Sequence, residues 1–343
     1  MVGDEDWAGA SVQMSADGER LAAFVENEEG EDVVQAYQLI DNVWEPIGNT
    51  ISGDHNFRLQ GRMVMSADGE TLALNGTINS TFWRFKVYRF VDGQWQQQGS
   101  TISSSEDDDL FAWSMSLSAD GNRMAVGAPK ANNNGADSGN VTIWDFSEGD
   151  WVQVGSTISG ESIRDETGFS VSLSDDGQRL AVGDHYYDEP DFNSGRMRVF
   201  EWVENDWQQI GDASIGEDRA DFYGHAVVIS PDGSTVAAGA PQAGGNNGTA
   251  GQVRVFGEHP WENITNVEEP NNQFNLFPNP TQGLLYVDAP VNTSWRIFDV
   301  YGRELASGQM MNGQLDLQQL KAGAYLIHLD IGESRTSRII IKQ

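Results

Sequence analysis

The sequence predicts an all-β chain: a β-propeller of four-stranded blades, followed by a small C-terminal Ig-like β-sandwich. Three observations lead there. The phrase Ser-x-Asp-Gly recurs at Asp17-Gly18, Asp68-Gly69, Asp120-Gly121, Asp176-Gly177 and Asp232-Gly233. A tryptophan follows each phrase, at Trp44, Trp95, Trp151, Trp207 and Trp261. No stretch of the chain has helical periodicity. Repeats of about 50 residues rich in short strands are the signature of propeller blades. A β-helix has shorter coils and does not need two tight hairpins in each.

The fourth repeat gives the blade strand by strand. Gly168 to Ser174 alternates polar and apolar, as a half-buried strand does. Asp175-Asp176-Gly177 is a tight turn, with glycine supplying positive φ. Arg179 to Gly183 is the second strand, and a long loop runs from Asp184 to Asn193. Met197 to Trp202 and Trp207 to Gly211 are the third and fourth strands, joined by a short turn. The five repeats are placed at about 4–53, 54–104, 105–160, 161–216 and 217–265, with a polar linker at 266–273 and the second domain at 274–343.

The 343 residues carry a formal net charge of −32 and no cysteine, which excludes disulfides and thiol chemistry. Residues 274–343 hold six acids and six bases, and residues 266–273 add two glutamates, which leaves 44 acids against 14 bases in the first 265. Such a surface repels nucleic acid and anionic lipid, and favours cations or basic partners. No run reaches the ~20 apolar residues of a membrane helix, so membrane insertion is not expected. The start, MVGDEDWAGA, has no secretory signal character.

Successive connections of an up-and-down blade alternate between its two ends. The Asp-Gly hairpins and the turns between third and fourth strands are short and repetitive, and define a quiet face. The loops 130–138, 184–194 and 242–250, with the links 104–110, 161–167 and 217–222, are long and varied, and meet on the other face. Loops on a rigid scaffold are where recognition concentrates. Their carboxylates and amides make Asp107, Asp109, Asp165, Asp188, Asp191, Asn193, Asp218 and Asp221 the candidate ligand-binding residues. The spacing Asp188-x-x-Asp191-x-Asn193 is the cation candidate, for Ca²⁺. The hairpin turn has a single regular acid, too few oxygens for calcium, and is expected to be only a turn. Trp44, Trp95, Trp151 and Trp207 are expected to pack between blades. Phe111, Trp113, Tyr186, Tyr187, Phe192 and Tyr223 fall near the variable face, as do His55, His185 and His225. No catalytic motif of the zinc-protease, serine-hydrolase or phosphate-loop kind occurs, and the chain is expected not to be an enzyme.

Two resemblances follow from these residues. Gly127-Ala128-Pro129 with Ser138 to Ile143, and Gly239-Ala240-Pro241 with Ala250 to Phe256, resemble the FG-GAP repeats of integrin-α-type propellers. The match is strong in repeats three to five and weak in the first two, where Asn75-Gly76 replaces Gly-Ala-Pro. The C-terminal segment is similar to the type A sorting domain of the type IX secretion system of Bacteroidetes. It carries Pro278-Asn279-Pro280, the turn at Gly302, the run through Gly323 and Tyr325, and a basic last strand ending near Lys342. That resemblance implies contact with the type IX machinery, export across the outer membrane, removal of the domain, and release or surface attachment. It also implies a signal peptide, so the chain is expected to be N-terminally truncated, with five, six or seven blades left open. The functional expectation is a secreted or cell-surface propeller for binding or adhesion, with a glycan or cell-surface ligand. An exported polysaccharide-active enzyme and a non-binding structural surface protein stay open as alternatives.

Overall fold

The computed structural model describes residues 11–27, 29–54, 57–78, 82–104, 109–244, 251–257, 276–277, 281, 284–287, 293–298, 304–310, 313–321, 323–331 and 334–342. The chain divides into two compact units, Met1–Glu262 and Asn263–Gln343. Among the described residues no helix is long and apolar enough to cross a membrane.

The first unit is a β-propeller of five successive antiparallel sheets. Blade 1 runs Val12–Met14, Arg20–Glu26, Asp32–Ile40 and Val43–Ser52, each strand paired with the next. Blade 2 is Arg58–Met65, Thr71–Ile78, Phe82–Val91 and Gln94–Gln97. Blade 3 is Ser114–Leu117, Arg123–Ala128, Asn140–Ser147 and Asp150–Gln153. Blade 4 is Ser170–Leu173, Arg179–Asp184, Arg196–Val203 and Asp206–Gln209. Blade 5 has three described strands, Ala226–Ile229, Val236–Ala240 and Gln252–Phe256. Blades 2 to 4 add a two-residue strand that the repeat did not predict. Ile102–Ser103, Ile158–Ser159 and Ser214–Ile215 each pair back to the third strand. The reason is length: the third strand outruns the fourth, and its free edge needs partners.

The Ser-x-Asp-Gly phrase is a self-satisfied turn. Ser118 Oγ donates to Asp120 Oδ1 (2.6 Å), the Asn122 N–H donates to the same carboxylate (3.0 Å), and the Arg123 N–H donates to Ser118 Oγ (3.0 Å). The same set closes the turns at Asp17, Asp68, Asp176 and Asp232. Hydrogen bonds from Ser230 and Ser234 to Asp232 hold its carboxyl down at about 2. These carboxylates are spent within their own hairpins.

The first strand of each blade is the inner one, and inner strands of consecutive blades lie side by side. Alternation along each strand then sends apolar residues to both faces of a blade. Ala125, Val141 and Ile143 of blade 3 meet Leu180, Val182 and Trp207 of blade 4. Met124 and Val126 face the other way, onto Ala73, Phe85 and Val87 of blade 2. Equivalent cores join blades 1 and 2, and blades 4 and 5. Trp95, Trp151 and Trp207 are buried in these seams, at 4–7% exposure. Trp44 differs, at 39% exposure. Val12 and Met14 in blade 1, and Val228, Val253 and Val255 in blade 5, are exposed.

Two glycines show how close the blades come. A Cβ on Gly127 would lie 2.1 Å from the Gly168 carbonyl oxygen, and one on Gly183 would lie 2.0 Å from that of Gly224. Each is the second-strand glycine of its repeat; close inter-blade approach explains Gly127 and Gly183, but not Gly239, where the nearest atom to a Cβ is 3.9 Å away.

The second unit is a sandwich of two antiparallel sheets. One holds Leu276–Phe277, Leu284–Val287 and Gln314–Asp316, and the other Glu304–Gln309, Ser294–Phe298, Gly323–Ile331 and Ser334–Lys342. Leu285, Val287 and Leu315 from the first pack on Ile297, Ile327, Leu329 and Ile340 from the second. Gly323 opens its strand, Tyr325 is buried with its hydroxyl donating to the Lys321 carbonyl (2.8 Å), and Lys342 bridges to Thr281 at the end of the last strand. Pro278, Asn279, Pro280, Gly302 and the linker at 266–273 lie outside the described residues.

Candidate functional site: the propeller funnel

The inner strands enclose a central funnel of about 790 Å³. It is lined by the first halves of those strands, from Ser11 and Gln13 in blade 1 to His225 and Val227 in blade 5. These strands start from the links of the variable face, so the lining belongs to the loop-rich end.

Its mouth carries an aromatic arc. Trp113, Phe169 and His225 occupy the same register position in blades 3, 4 and 5. Trp113 and Phe169 have ring centroids 5.7 Å apart, and Phe169 and His225 5.0 Å apart. His185 packs behind Phe169 at 3.7 Å and against Tyr186 at 4.0 Å. Aromatic pairs at such spacings stabilise one another beyond simple burial.

Blade 2 supplies a cation instead of a ring. The register of its inner strand shifts between Leu59 and Met63, and Gly61 has φ 76°. Such a bulge re-aims the side chains beside it. The Arg62 N–H donates to Asn75 Oδ1 (3.1 Å), and Asn75 Nδ2 donates to the Ala112 carbonyl (3.3 Å). Asn75, buried in the place of the repeat's usual glycine region, therefore holds the bulge. The Arg62 guanidinium carbon lies 3.7 Å from the Trp113 ring centroid. Burial pushes the Arg62 pKa down.

Among the described residues, the predicted acids do not converge on this funnel, and no carboxylate is in its lining. Asp109, Asp165 and Asp221 are equivalent, buried, and turned into their own links. Asp165 Oδ2 accepts the N–H groups of Glu161 and Ser162 (both 2.9 Å). Asp221 Oδ2 accepts those of Glu217 and Asp218 (3.1 and 2.9 Å). Asp109 accepts from the Phe111 N–H (3.0 Å) and from Ser104 Oγ. Asp188, Asp191 and Asp218 are exposed. Asp188 Oδ1 accepts the Asn193 N–H (2.8 Å), and Asp191 Oδ1 the Phe192 N–H (2.7 Å). Among the described residues no group of three or more His, Cys, Asp or Glu is placed to hold a metal ion. Asp107 and His55 lie outside the described residues. Of the aromatics expected near this face, Phe111 and Tyr223 are core, while Trp113 lines the funnel.

A buried ionic cluster braces the rim in blades 3 and 4. Asp184, fully buried, accepts from Arg196 Nε (2.8 Å) and Arg198 Nε (2.9 Å). Burial opposes its charge, but Arg198 and Arg196 outweigh burial and hold the carboxyl below its ordinary value. Glu166 pairs with Lys130, and burial still pushes its carboxyl up. His185 lies 3.7 Å from Glu166, yet burial, His225 and Lys130 push its pKa down to about 3. At neutral pH that contact joins a neutral imidazole to a carboxylate, not two charges.

Sequence reasoning found Trp113 and His225 as aromatic groups near the variable face. It missed Arg62 as a funnel residue. The signal was present, because Asn75-Gly76 breaks the repeat in the blade that presents it.

Residues 275–343 match the family of secretion system C-terminal sorting domains. No curated protein sequence matches the chain. Among solved structures, it is similar to the β-propeller domain of the Trilobed protease from Pyrococcus furiosus. The identity is 10%, 98% of this chain and 95% of that chain are covered, and the TM-score is 0.46. It is similar to the Pyrococcus horikoshii acylaminoacyl peptidase at 12% identity, covering 97% of this chain and 52% of that chain, TM-score 0.45. PorZ, a surface component of the type IX secretion system of Porphyromonas gingivalis, aligns at 10% identity, covering 97% and 51%, TM-score 0.40. The chain spans about half the length of the latter two. At these identities the likeness is one of fold.

The expectation that the chain is not an enzyme is corrected by these similarities. Propellers of this architecture occur in a protease and a peptidase, so the fold and the missing motifs do not exclude catalysis. Residues 275–343 are a C-terminal sorting domain of the type IX secretion system, which marks the chain as a secreted or cell-surface protein.

Proposed function

We propose that the propeller is a ligand-binding module displayed or released outside the cell, and that its ligand enters the central funnel from the loop-rich face. The observation that carries this reading is the arc of Trp113, Phe169 and His225 at the funnel mouth, three unlike rings in one register position. A structural role alone would be met by the repeated seam residues. Pockets that combine aromatic surface with a few polar groups are the usual form of a small-molecule site. Gln13, Gln60 and Ser114 supply those polar groups here.

The finer form of this proposal is adhesion to a glycan or cell surface by FG-GAP-like repeats. Gly127 of the Gly127-Ala128-Pro129 phrase, set against the next blade, supports the repeat assignment. We keep 1–265 as the propeller, 266–273 as the linker and 274–343 as the sorting domain. Exposed Asp188, Asp191 and Asp218 are the acids available for a cation-dependent form. A polysaccharide-active reading by paired carboxylates needs acids in the funnel, and the lining has none; catalysis by other groups is untouched by that argument.

The test is a glycan array with the purified chain, with and without EDTA, beside Trp113→Ala. Binding that Trp113→Ala abolishes is the expected result, and loss with EDTA identifies the cation-dependent form. No binding to any glycan would remove the adhesion reading.

A further inference from the structure

Among the described residues, Arg62 is the arginine in the funnel lining. Arg20, Arg123, Arg179, Arg196, Arg198 and Arg254 each lie within 4.0 Å of a carboxylate. Among the described residues, Arg62 has no such partner; its recorded contacts are the Trp113 ring and, through its backbone, Asn75. Arg58, Arg164 and Arg219 also have no carboxylate within 4.0 Å among the described residues, but none of them lines the funnel. The funnel lining likewise contains Arg62 and no carboxylate. A partly buried cation kept clear of acids in an acidic protein is poised for an anion brought from outside.

The geometry fits that use. A guanidinium stacked on an indole keeps its edge N–H groups free, and their fork matches a carboxylate or sulfate bidentately. The bulge at Gly61, with Asn75 fixing the backbone N–H of Arg62, sets where that fork points. Trp113 and Phe169 add apolar surface beside it, and Gln13 and Gln60 add amides for hydroxyl groups. The volume of about 790 Å³ suits a ligand of one to three sugar rings.

We propose that the funnel takes an anionic saccharide, with its carboxylate or sulfate on the Arg62 fork and its ring against the aromatic arc. This rests on the binding reading above and names the class of its ligand.

The experiment is titration calorimetry on the full chain with four probes: trigalacturonate, its methyl ester, a sulfated disaccharide, and inorganic phosphate. The acid is expected to bind at least 10-fold tighter than its ester. Arg62→Gln should erase that difference, and Arg62→Lys should restore part of it. Tighter binding of the sulfated disaccharide than of trigalacturonate would place sulfate, not carboxylate, on the fork. Equal affinity for acid and ester overturns the anionic class, and needs no variant to be read. Binding of the acid that is sensitive to Trp113→Ala but not to Arg62→Gln does the same while leaving the binding funnel in place. Phosphate binding without any saccharide binding overturns the saccharide claim. No binding by any probe overturns this proposal, and the glycan array then decides the broader one.

Discussion

Arg123 of blade 3 donates through Nη1 to the carbonyl of Gly177 in blade 4, at 2.9 Å. The bond crosses a seam and ends on the glycine of the repeated turn. Arg20 reaches Gly69 (3.3 Å) and Arg179 reaches Gly233 (3.1 Å) in the same way. Arg123 also forks onto Asp145 at 2.6 and 2.7 Å and packs 4.7 Å over the Trp202 ring. Arg123→Ala removes all three contacts. We expect a loss of about 2 kcal/mol of propeller stability, measured by denaturant unfolding. A midpoint equal to wild type would show that the seam does not depend on this clamp.

The inter-blade glycines give a paired test. Gly183→Ala places a methyl 2.0 Å from the Gly224 carbonyl oxygen, so the blades must part. Gly239 holds the same place in blade 5, where the nearest atom to a Cβ is 3.9 Å away. We expect Gly183→Ala to cost about 3 kcal/mol or prevent folding, and Gly239→Ala to stay within about 0.5 kcal/mol of wild type. Thermal melts of the two variants decide it. An equally large loss at Gly239 would mean that something packs on the open face of blade 5.

Asp184→Asn leaves Arg196 and Arg198 buried around a neutral amide. Removing one partner of a buried ion cluster costs about 3–5 kcal/mol. The folded-state pKa of Asp184 lies below its ordinary value, so its contribution is present above about pH 4 and is lost as pH falls through the folded value. The variant should therefore lose most at neutral pH and approach wild type in acid. Unfolding curves at neutral and acid pH check both points.

His185 predicts a slope of its own. Folded, its pKa is about 3; unfolded, it returns to about 6.5. Between these values the unfolded chain takes up a proton that the folded one refuses, so stability is full above pH 6.5 and falls as pH drops toward 3. Glu166 and Asp165, pushed up by burial, act in the opposite sense above their ordinary values. Between about pH 3 and 6.5 the His185 part is therefore read as the difference between wild type and a variant without the imidazole. His185→Gln should flatten the slope there, by up to about 1.4 kcal/mol per pH unit. An unchanged slope would show that the folded imidazole takes up its proton as the unfolded one does.

The sequence made the blades legible because a repeat states its own constraints. Ser118 and Asp120 satisfy each other within one hairpin, so local chemistry alone fixes that turn. The buried alternation around Leu180 and Val182 follows from period two. The candidate site was less legible. Asp165 and Asp221 have the composition of ligands, but their loops fold so that each carboxylate accepts two backbone N–H groups of its own link. Composition cannot reveal which way a loop carboxylate turns.

By itself, then, the sequence determined the period, the hairpins and the seam positions of Trp95, Trp151 and Trp207, since each depends on contacts within a repeat or between identical ones, and its motifs marked the sorting segment. Only the tertiary structure decided the funnel. Arg62, Trp113, Phe169 and His225 are about 50 residues apart in the chain and come from four blades. They meet because inner strands converge on one axis, and because a bulge in blade 2 brings Arg62 into the lining. A repeat records what its units share, whereas this site is assembled from what they do not.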